Sequence, residues 1–374
     1  MMEILYQNLA NIELPHVIMW IIGGLLIYLA IAKEMEPTLL LPMGFGAILV
    51  NLPIAEPGSG VQAVIDFLFQ IGIESHELFP LLLFVGIGAM IDFEPLLTNP
   101  KLMLFGAAAQ FGIFFTLVMA SLFGFDLKDA ASIAIIGAAD GPTSIFVADQ
   151  LDSNYIGAIM VAAYSYMALV PLVQPPIIKL CTTKAERRIK MQYKGKPVSK
   201  RTKILFPIVV TVIVALVAPD AVALIGFLMF GNLIRECGVL DSLSNTAQNV
   251  LANLVTIFLG ISIASQMKAA EFLKLDTLII IGLGLVAFVF DTFGGIMVAK
   301  IMNLFSREKI NPMIGAAGIS AFPMSARVVH KLGLEEDNQN FLLMHSIGVN
   351  VSGQIASVIA GGLILALVKN IIGG

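Results

Sequence analysis

The sequence predicts an all-α polytopic membrane protein made of two structural repeats, inverted relative to each other, whose broken or re-entrant helices meet near the midplane. Three observations carry this. First, the 374 residues are 58% hydrophobic and only 13% charged, with mean hydropathy +0.91. Soluble domains average about 25% charged residues. Second, the chain repeats itself. Phe84-Val-Gly-Ile-Gly-Ala-Met-Ile matches Phe258-Leu-Gly-Ile-Ser-Ile-Ala-Ser, and Ile136-Gly-Ala-Ala-Asp140 matches Ile314-Gly-Ala-Ala-Gly318. The offsets are 174 and 178 residues, as the numbering of those segments gives. Third, Gly137-Ala-Ala-Asp140-Gly141-Pro142-Thr143 interrupts an apolar run, 130–148, with a carboxylate and a Gly-Pro pair. A proline lacks an N–H and clashes with the turn before it, so a helix break is expected there. Lipid tolerates such a break only where it faces protein or a water-filled cavity.

Taken in order, the apolar runs able to cross hydrocarbon are 17–32, 39–54, 78–91, 102–123, 130–148, 155–180, 204–218, 221–233, 250–267, 277–299, 312–328 and 341–368. A span needs about 20 residues at ~1.5 Å rise each, so several of these are short. Short, Gly/Pro-interrupted segments in matching positions of two halves mark discontinuous helices. The first run follows the acidic start containing Glu3 and Glu13 and reads as a retained span rather than a cleaved signal. Segment 61–73 carries Asp66 and is expected to lie at an interface. Six crossings between Leu78 and Val250 would make the repeats parallel, whereas a re-entrant 130–148 leaves five and inverts them. The Asp140-Gly141-Pro142 break favours the inverted form. The expected units are 1–77 (N-terminal spans), 78–180 (first repeat core), 181–203 (basic loop), 204–248 (scaffold spans) and 249–374 (second repeat core).

Residues 179–203 hold ten Lys and Arg against Glu186 alone, which places this loop in the cytoplasm by the positive-inside rule. It is either a solvated linker or a surface for an acidic partner or anionic membrane lipid. The net charge of −4 argues against nucleic acid as a partner. Cys181 and Cys237 show no metal-ligand spacing and are expected to be reduced. No GxGxxG, Walker or HExxH motif is present, so energy does not come from a P-loop nucleotide site.

Polar groups at membrane depth are functional candidates. Asp140 beside freed carbonyls makes an oxygen-rich cage suited to a hard cation such as Na⁺. The matching stretch of the second half, Asn311 to Arg327, offers Asn311, Ser320 and more freed carbonyls. Arg327 could hold a carboxylate or pair with Asp140, or snorkel to the cytoplasmic interface near His330 and Lys331. Tyr166 could relay a proton, or be a packed aromatic with a satisfied hydroxyl. Asn350 could be a ligand, or helix–helix glue. Asp291 is either a pathway residue or a partner for a lysine, and His345 reads as a core histidine.

These residues resemble the β subunit of sodium-pumping biotin-dependent decarboxylases, which act on oxaloacetate, methylmalonyl-CoA, glutaconyl-CoA or malonate. The resemblance rests on Gly137 to Phe146, Val161 to Pro176, Asn249 to Gly260 and Asn311 to Arg327, and runs from about Leu78 to the C-terminus. It implies that a carboxyltransferase α subunit transfers CO₂ to biotin on a carrier domain. This chain then decarboxylates carboxybiotin and exports Na⁺, consuming an outside proton. By the resemblance, Asp140 is a Na⁺ ligand, and Asn311, Gly315, Ser320 and Asn350 belong to sodium binding, with Ser320 and Asn350 at a second Na⁺ site. Arg327, Tyr166 and Ser320 would take part in the reaction. The family also implies a small single-span γ-type subunit, a β trimer and a bacterial or archaeal cell (inner) membrane. The competing reading is a Na⁺-coupled organic-anion transporter or a Na⁺/H⁺ antiporter. A structural scaffold is disfavoured by the polar groups at helix breaks.

Overall fold

A computed structural model describes residues 10–53, 60–192 and 197–373. Glu3, the tail of the expected 39–54 run, and Lys194 and Lys196 of the basic loop lie outside them. The described residues are helical, with no strand among them. Among them, six helices are long and apolar enough to cross a membrane: Leu14–Ala32, Pro100–Leu122, Ile156–Cys181, Asp241–Met267, Leu275–Phe305 and Leu343–Ile372. This multi-pass pattern agrees with the composition.

The chain opens with α1 (Leu14–Ala32) and α2 (Pro37–Val50), packed side by side. At 14 residues α2 is shorter than a span, so the expected 39–54 run is not a full crossing within the described residues. α3 (Val61–Phe69) ends in a π-helical turn and meets α4 (Leu78–Met90) at a bend of 65°. Asp66 on α3 is held by Lys268, 3.0 Å away. α3 and α4 thus form a bent pair, with α3 packed on the second half of the chain, rather than an isolated surface helix.

After α4 the chain kinks through short turns into α5 (Met103–Ala108) and α6 (Phe111–Leu122). Next come α7 (Leu127–Ala134), a 3-10 turn Ile135–Ala138 and α8 (Gly141–Gln150). α9 (Ile156–Cys181) returns to the basic loop. The second half begins with α10 (Lys200–Val217) and α11 (Val222–Glu236). α4 and α11 cross so closely that a Cβ on Gly231 would stand 2.0 Å from the Val85 carbonyl oxygen, which only glycine permits. Then come α12 (Ala252–Ile263), α13 (Leu275–Phe305), a 3-10 segment Pro312–Gly318, α14 (Met324–Glu336) and α15 (Leu343–Gly373).

Two of the expected crossings, 130–148 and 312–328, are therefore helix breaks. Their residues 129–148 and 311–321 are buried throughout. Wrapping them on all sides by protein is the condition under which unwound backbone survives at membrane depth. Cys181 and Cys237 are free thiols.

Candidate functional site

The first break is a hairpin. Asp126 caps α7 by accepting from the Asp129 amide at 2.8 Å. The 3-10 turn ends at Ala139, whose φ of +51° is left-handed and strained for a non-glycine residue. Asp140 then caps α8, accepting from the Thr143 amide at 3.3 Å. Pro142 stands in the first turn of α8, where its missing N–H costs nothing. The break therefore falls at Ala139 and Asp140, ahead of the proline, and Pro142 starts a helix rather than breaking one. Both ends of the hairpin meet at Asp129. Its carboxylate accepts from Ser153 Oγ at 2.7 Å, the Asn154 amide at 3.0 Å and Asn154 Nδ2 at 3.0 Å. The segment thus goes in and comes back at one end of the bundle.

The second break opens from the other end. α9, 26 residues and so about 39 Å long, separates Asn154 from the basic loop. There Asn311 Nδ2 donates to the carbonyls of Arg187 and Ile189, both at 2.9 Å, while its Oδ1 accepts from the Met313 amide at 3.1 Å. At the far end of α14, Glu336 pairs with Arg187 at 2.6 Å, and Asn340 donates to the Arg187 carbonyl at 2.8 Å. The Arg187 hydrogen bond holds the Glu336 carboxyl below the usual range. Lys190 with Asp337 at 3.1 Å and Lys179 with Glu335 at 3.6 Å add to this clamp. Residues 179–190, the first part of the basic loop, thus act as a clamp on the second hairpin.

The two tips touch. The Ser320 amide donates to the Ala138 carbonyl at 2.9 Å. One stripe of α15, at positions 350, 353, 354 and 357, lies across both. Asn350 Nδ2 donates to the Ile319 carbonyl at 2.7 Å, Ser320 Oγ donates to the Gly353 carbonyl at 3.0 Å, and Gln354 Nε2 donates to the Ser320 carbonyl. Ser357 Oγ reaches Asp140 Oδ2 at 2.8 Å, as does Thr143 Oγ1 at 2.8 Å. α9 contributes Gln174, whose Nε2 donates to the Ala316 carbonyl at 2.7 Å. Tyr164 on α9 packs its ring against Gly141.

Several oxygens in this region are buried without a partner: Asn350 Oδ1, Gln354 Oε1, Gln174 Oε1 and the Tyr164 hydroxyl. A buried polar atom left unpaired is costly. Together with a carboxylate only 3% exposed, they form an oxygen-rich, thiol-free donor set suited to a hard cation. Among the described residues there is no cluster of three or more His, Cys, Asp or Glu able to hold a metal. A cation here would be held by one carboxylate with amide, hydroxyl and backbone oxygens.

The expected site residues divide. Asp140, Ser320 and Asn350 come together as described. Asn311 lies at the clamp, its side chain spent on backbone groups, which removes it from the cage. Gly315 sits where the hairpin crosses α13: a Cβ there would lie 2.1 Å from the Gly295 carbonyl oxygen. Tyr166 points away, donating to the Ile281 carbonyl with its ring against Gly284. Two residues along a helix face opposite ways, and it is Tyr164 that stands by Asp140. Arg327 is exposed, makes no ion pair with Asp140, and acts electrostatically on Glu36. Burial pushes the Glu36 carboxyl up, and the Arg327 guanidinium partly offsets this. Asp291 has no lysine partner among the described residues. Its Oδ1 accepts from the Gly112 amide, and its Oδ2 is unpaired beside Gly137. Thr143, Tyr164, Gln174, Gln354 and Ser357 were not anticipated. Gln354 and Ser357 follow Asn350 at helical spacing, a signal that could have found them. A cavity of about 670 Å³ opens at the clamp end, lined by Lys101, Phe105, Lys190, Lys309 and Ile314 among others.

Two facing helix breaks around a carboxylate suggest an ion path, and comparison with known proteins decides which kind. The sequence profile of the Na⁺-transporting oxaloacetate decarboxylase beta subunit matches residues 15–368. The chain belongs to this family. It is 49% identical to the methylmalonyl-CoA decarboxylase subunit beta of Propionigenium modestum, covering 96% of each chain. It is 46% identical to the oxaloacetate decarboxylase beta chain of Klebsiella pneumoniae, over 98% of this chain and 99% of that one. It is 50% identical to the glutaconyl-CoA decarboxylase subunit beta of Acidaminococcus fermentans, over 94% and 92%. The chain is thus the membrane β subunit of a Na⁺-transporting, biotin-dependent decarboxylase and works within a multi-subunit complex.

Proposed function

We propose that the cage between the two hairpin tips is the Na⁺ path of the pump, and that decarboxylation of carboxybiotin drives the ion through it. The observation that carries this reading is the Ser320–Ala138 bond beneath one stripe of α15, with the Asp140 carboxylate bonded to Ser357 of that stripe. Asp140 supplies the formal negative charge, oriented by Thr143 and Ser357. Asn350 and Ser320 supply a second Na⁺ position. Asn311 and Gly315 act indirectly, by fixing the second hairpin. Tyr164, whose ring packs on Gly141 beside the carboxylate, takes the ion- or proton-handling part expected of Tyr166. Arg327, exposed on α14, is suited to hold the carboxylate of carboxybiotin through its planar fork.

Export of one net positive charge costs roughly 2.3 kcal/mol per 100 mV. Loss of CO₂, which escapes, supplies it, and an outside proton is consumed in the step. The two hairpins, opening from opposite ends, fit inverted repeats that give access alternately to either side. Carboxybiotin would arrive at the clamp end, on a biotin carrier domain charged by a carboxyltransferase α subunit. A single-span γ-type subunit, a β trimer and a bacterial or archaeal inner membrane complete the assembly we infer. Relatives named for three different acids are similar to the chain at 46–50% identity, which supports choice of the acid by a partner chain.

The test is CO₂ release and ²²Na⁺ uptake by the complex in proteoliposomes, with and without Na⁺. Na⁺-stimulated release coupled to uptake, both lost in Asp140→Asn, is the expected result. Na⁺ flux without CO₂ release would leave a Na⁺-coupled organic-anion transporter in its place.

A further inference from the structure

We propose that Glu77, at the start of α4, and Asp149, on the helix that Asp140 caps, form a proton intake at the outer end of the bundle. The inference rests on the reading above that an outside proton is consumed, and adds where it is taken up. Three left-handed residues, His76 (φ +69°), Glu77 (φ +56°) and Asp152 (φ +51°), build the two turns that meet here. Strained backbone of this kind persists only where the surroundings over-determine it.

Glu77 caps the start of α4 and is only 2% exposed. It lies within hydrogen-bond reach of Asp149, while its Oε2 is buried with no partner at all. Two carboxyls in one hydrogen bond require a proton on one of them. Exposure falls stepwise: His76 and Asp152 are exposed, Asp149 is half-buried and Glu77 is buried. His76 and Asp152 both act electrostatically on Asp149. From α15, Lys369 reaches the neighbouring Gln150 at 3.4 Å and is paired with Asp220. No cation neutralises Glu77 by an ion pair among the described residues. Asp149 lies nine residues beyond Asp140, about 13 Å along α8. The end is the outer one because it adjoins the Asp129–Asn154 fastening, opposite the basic clamp. A proton from outer water lands on the Asp149 carboxylate, is shared with Glu77, and leaves inward. The emptied pair then refills from outside. Nothing is oxidised or reduced.

The experiment uses the whole complex in proteoliposomes with the clamp end outward, so that the lumen is the outer side. Luminal pH is stepped while external pH is fixed, and Na⁺-dependent turnover is followed. Wild-type turnover falls as luminal pH rises. Glu77→Gln and Asp149→Asn lower the wild-type plateau about tenfold and move the profile to lower luminal pH. Asp149→Glu restores the profile, which a merely structural staple would not do. Unchanged profiles in both neutral variants overturn the intake. If wild type itself ignores luminal pH while releasing CO₂ with Na⁺, proton consumption fails first and the intake with it.

Discussion

The two hairpins meet at their tips but differ in what fastens them and in what they carry. The first is tied at the end opposite the basic loop by the Asp129 carboxylate, and carries Asp140 at its tip. The second is tied at the basic end by Asn311, Arg187 and Glu336, and has Gly318 where the first has the acid. The tips are unlike in chemistry: one holds charge, and the other offers neutral oxygens beside it. A cation needs one charge and several dipoles, and the asymmetry supplies that set.

Asp140→Asn should break the comparison most severely, because it removes the carboxylate that Thr143 and Ser357 hold at the tips. Na⁺ affinity is expected to fall roughly 100-fold, read as the Na⁺ concentration that half-saturates CO₂ release. Gly315→Val comes next. Its Cβ would lie 2.1 Å from the Gly295 carbonyl oxygen, so thermal unfolding should register a loss of about 3 kcal/mol. Asp129→Ala strands three donors at one end of the first hairpin and is expected to cost about 2 kcal/mol. Hydrogen exchange should then rise across residues 127–154 and stay unchanged across 311–340. Spread of the exchange to both hairpins would mean that they are not fastened separately.

The smallest effect is a pH effect at the second fastening. Arg187 depresses the folded value of Glu336 below its ordinary 4.5. The contribution is therefore fully present above that value and is lost as pH falls through the depressed one. Thermal stability of wild type should drop over that acid window more steeply than that of Glu336→Gln. Parallel curves would remove the ion pair from the account.

The membrane class and the helix break at Asp140 were legible because each rests on composition or a local pattern. Facing was not. Tyr164 and Tyr166 stand two residues apart on one helix, and only packing decides that the unanticipated one looks toward Asp140. Asn311 reads as a ligand because amides bind cations, but the same amide suits a helix cap followed by proline, and the structure uses it so. The break preceded the expected residue because Ala139 takes the left-handed turn and leaves Pro142 free to begin α8. The loop's positive charge was plain, but its acidic partners lie about 150 residues further along the chain, at Glu335, Glu336 and Asp337.

The central claim is that both tips form one cage. A double-mutant cycle on Ser357→Ala and Asn350→Ala, read as Na⁺ half-saturation of CO₂ release by the reconstituted complex, tests it most directly. Each single change should weaken Na⁺ by about 1 kcal/mol, with a coupling of at least ~0.5 kcal/mol between them. Strict additivity would contradict the account and leave two independent sites.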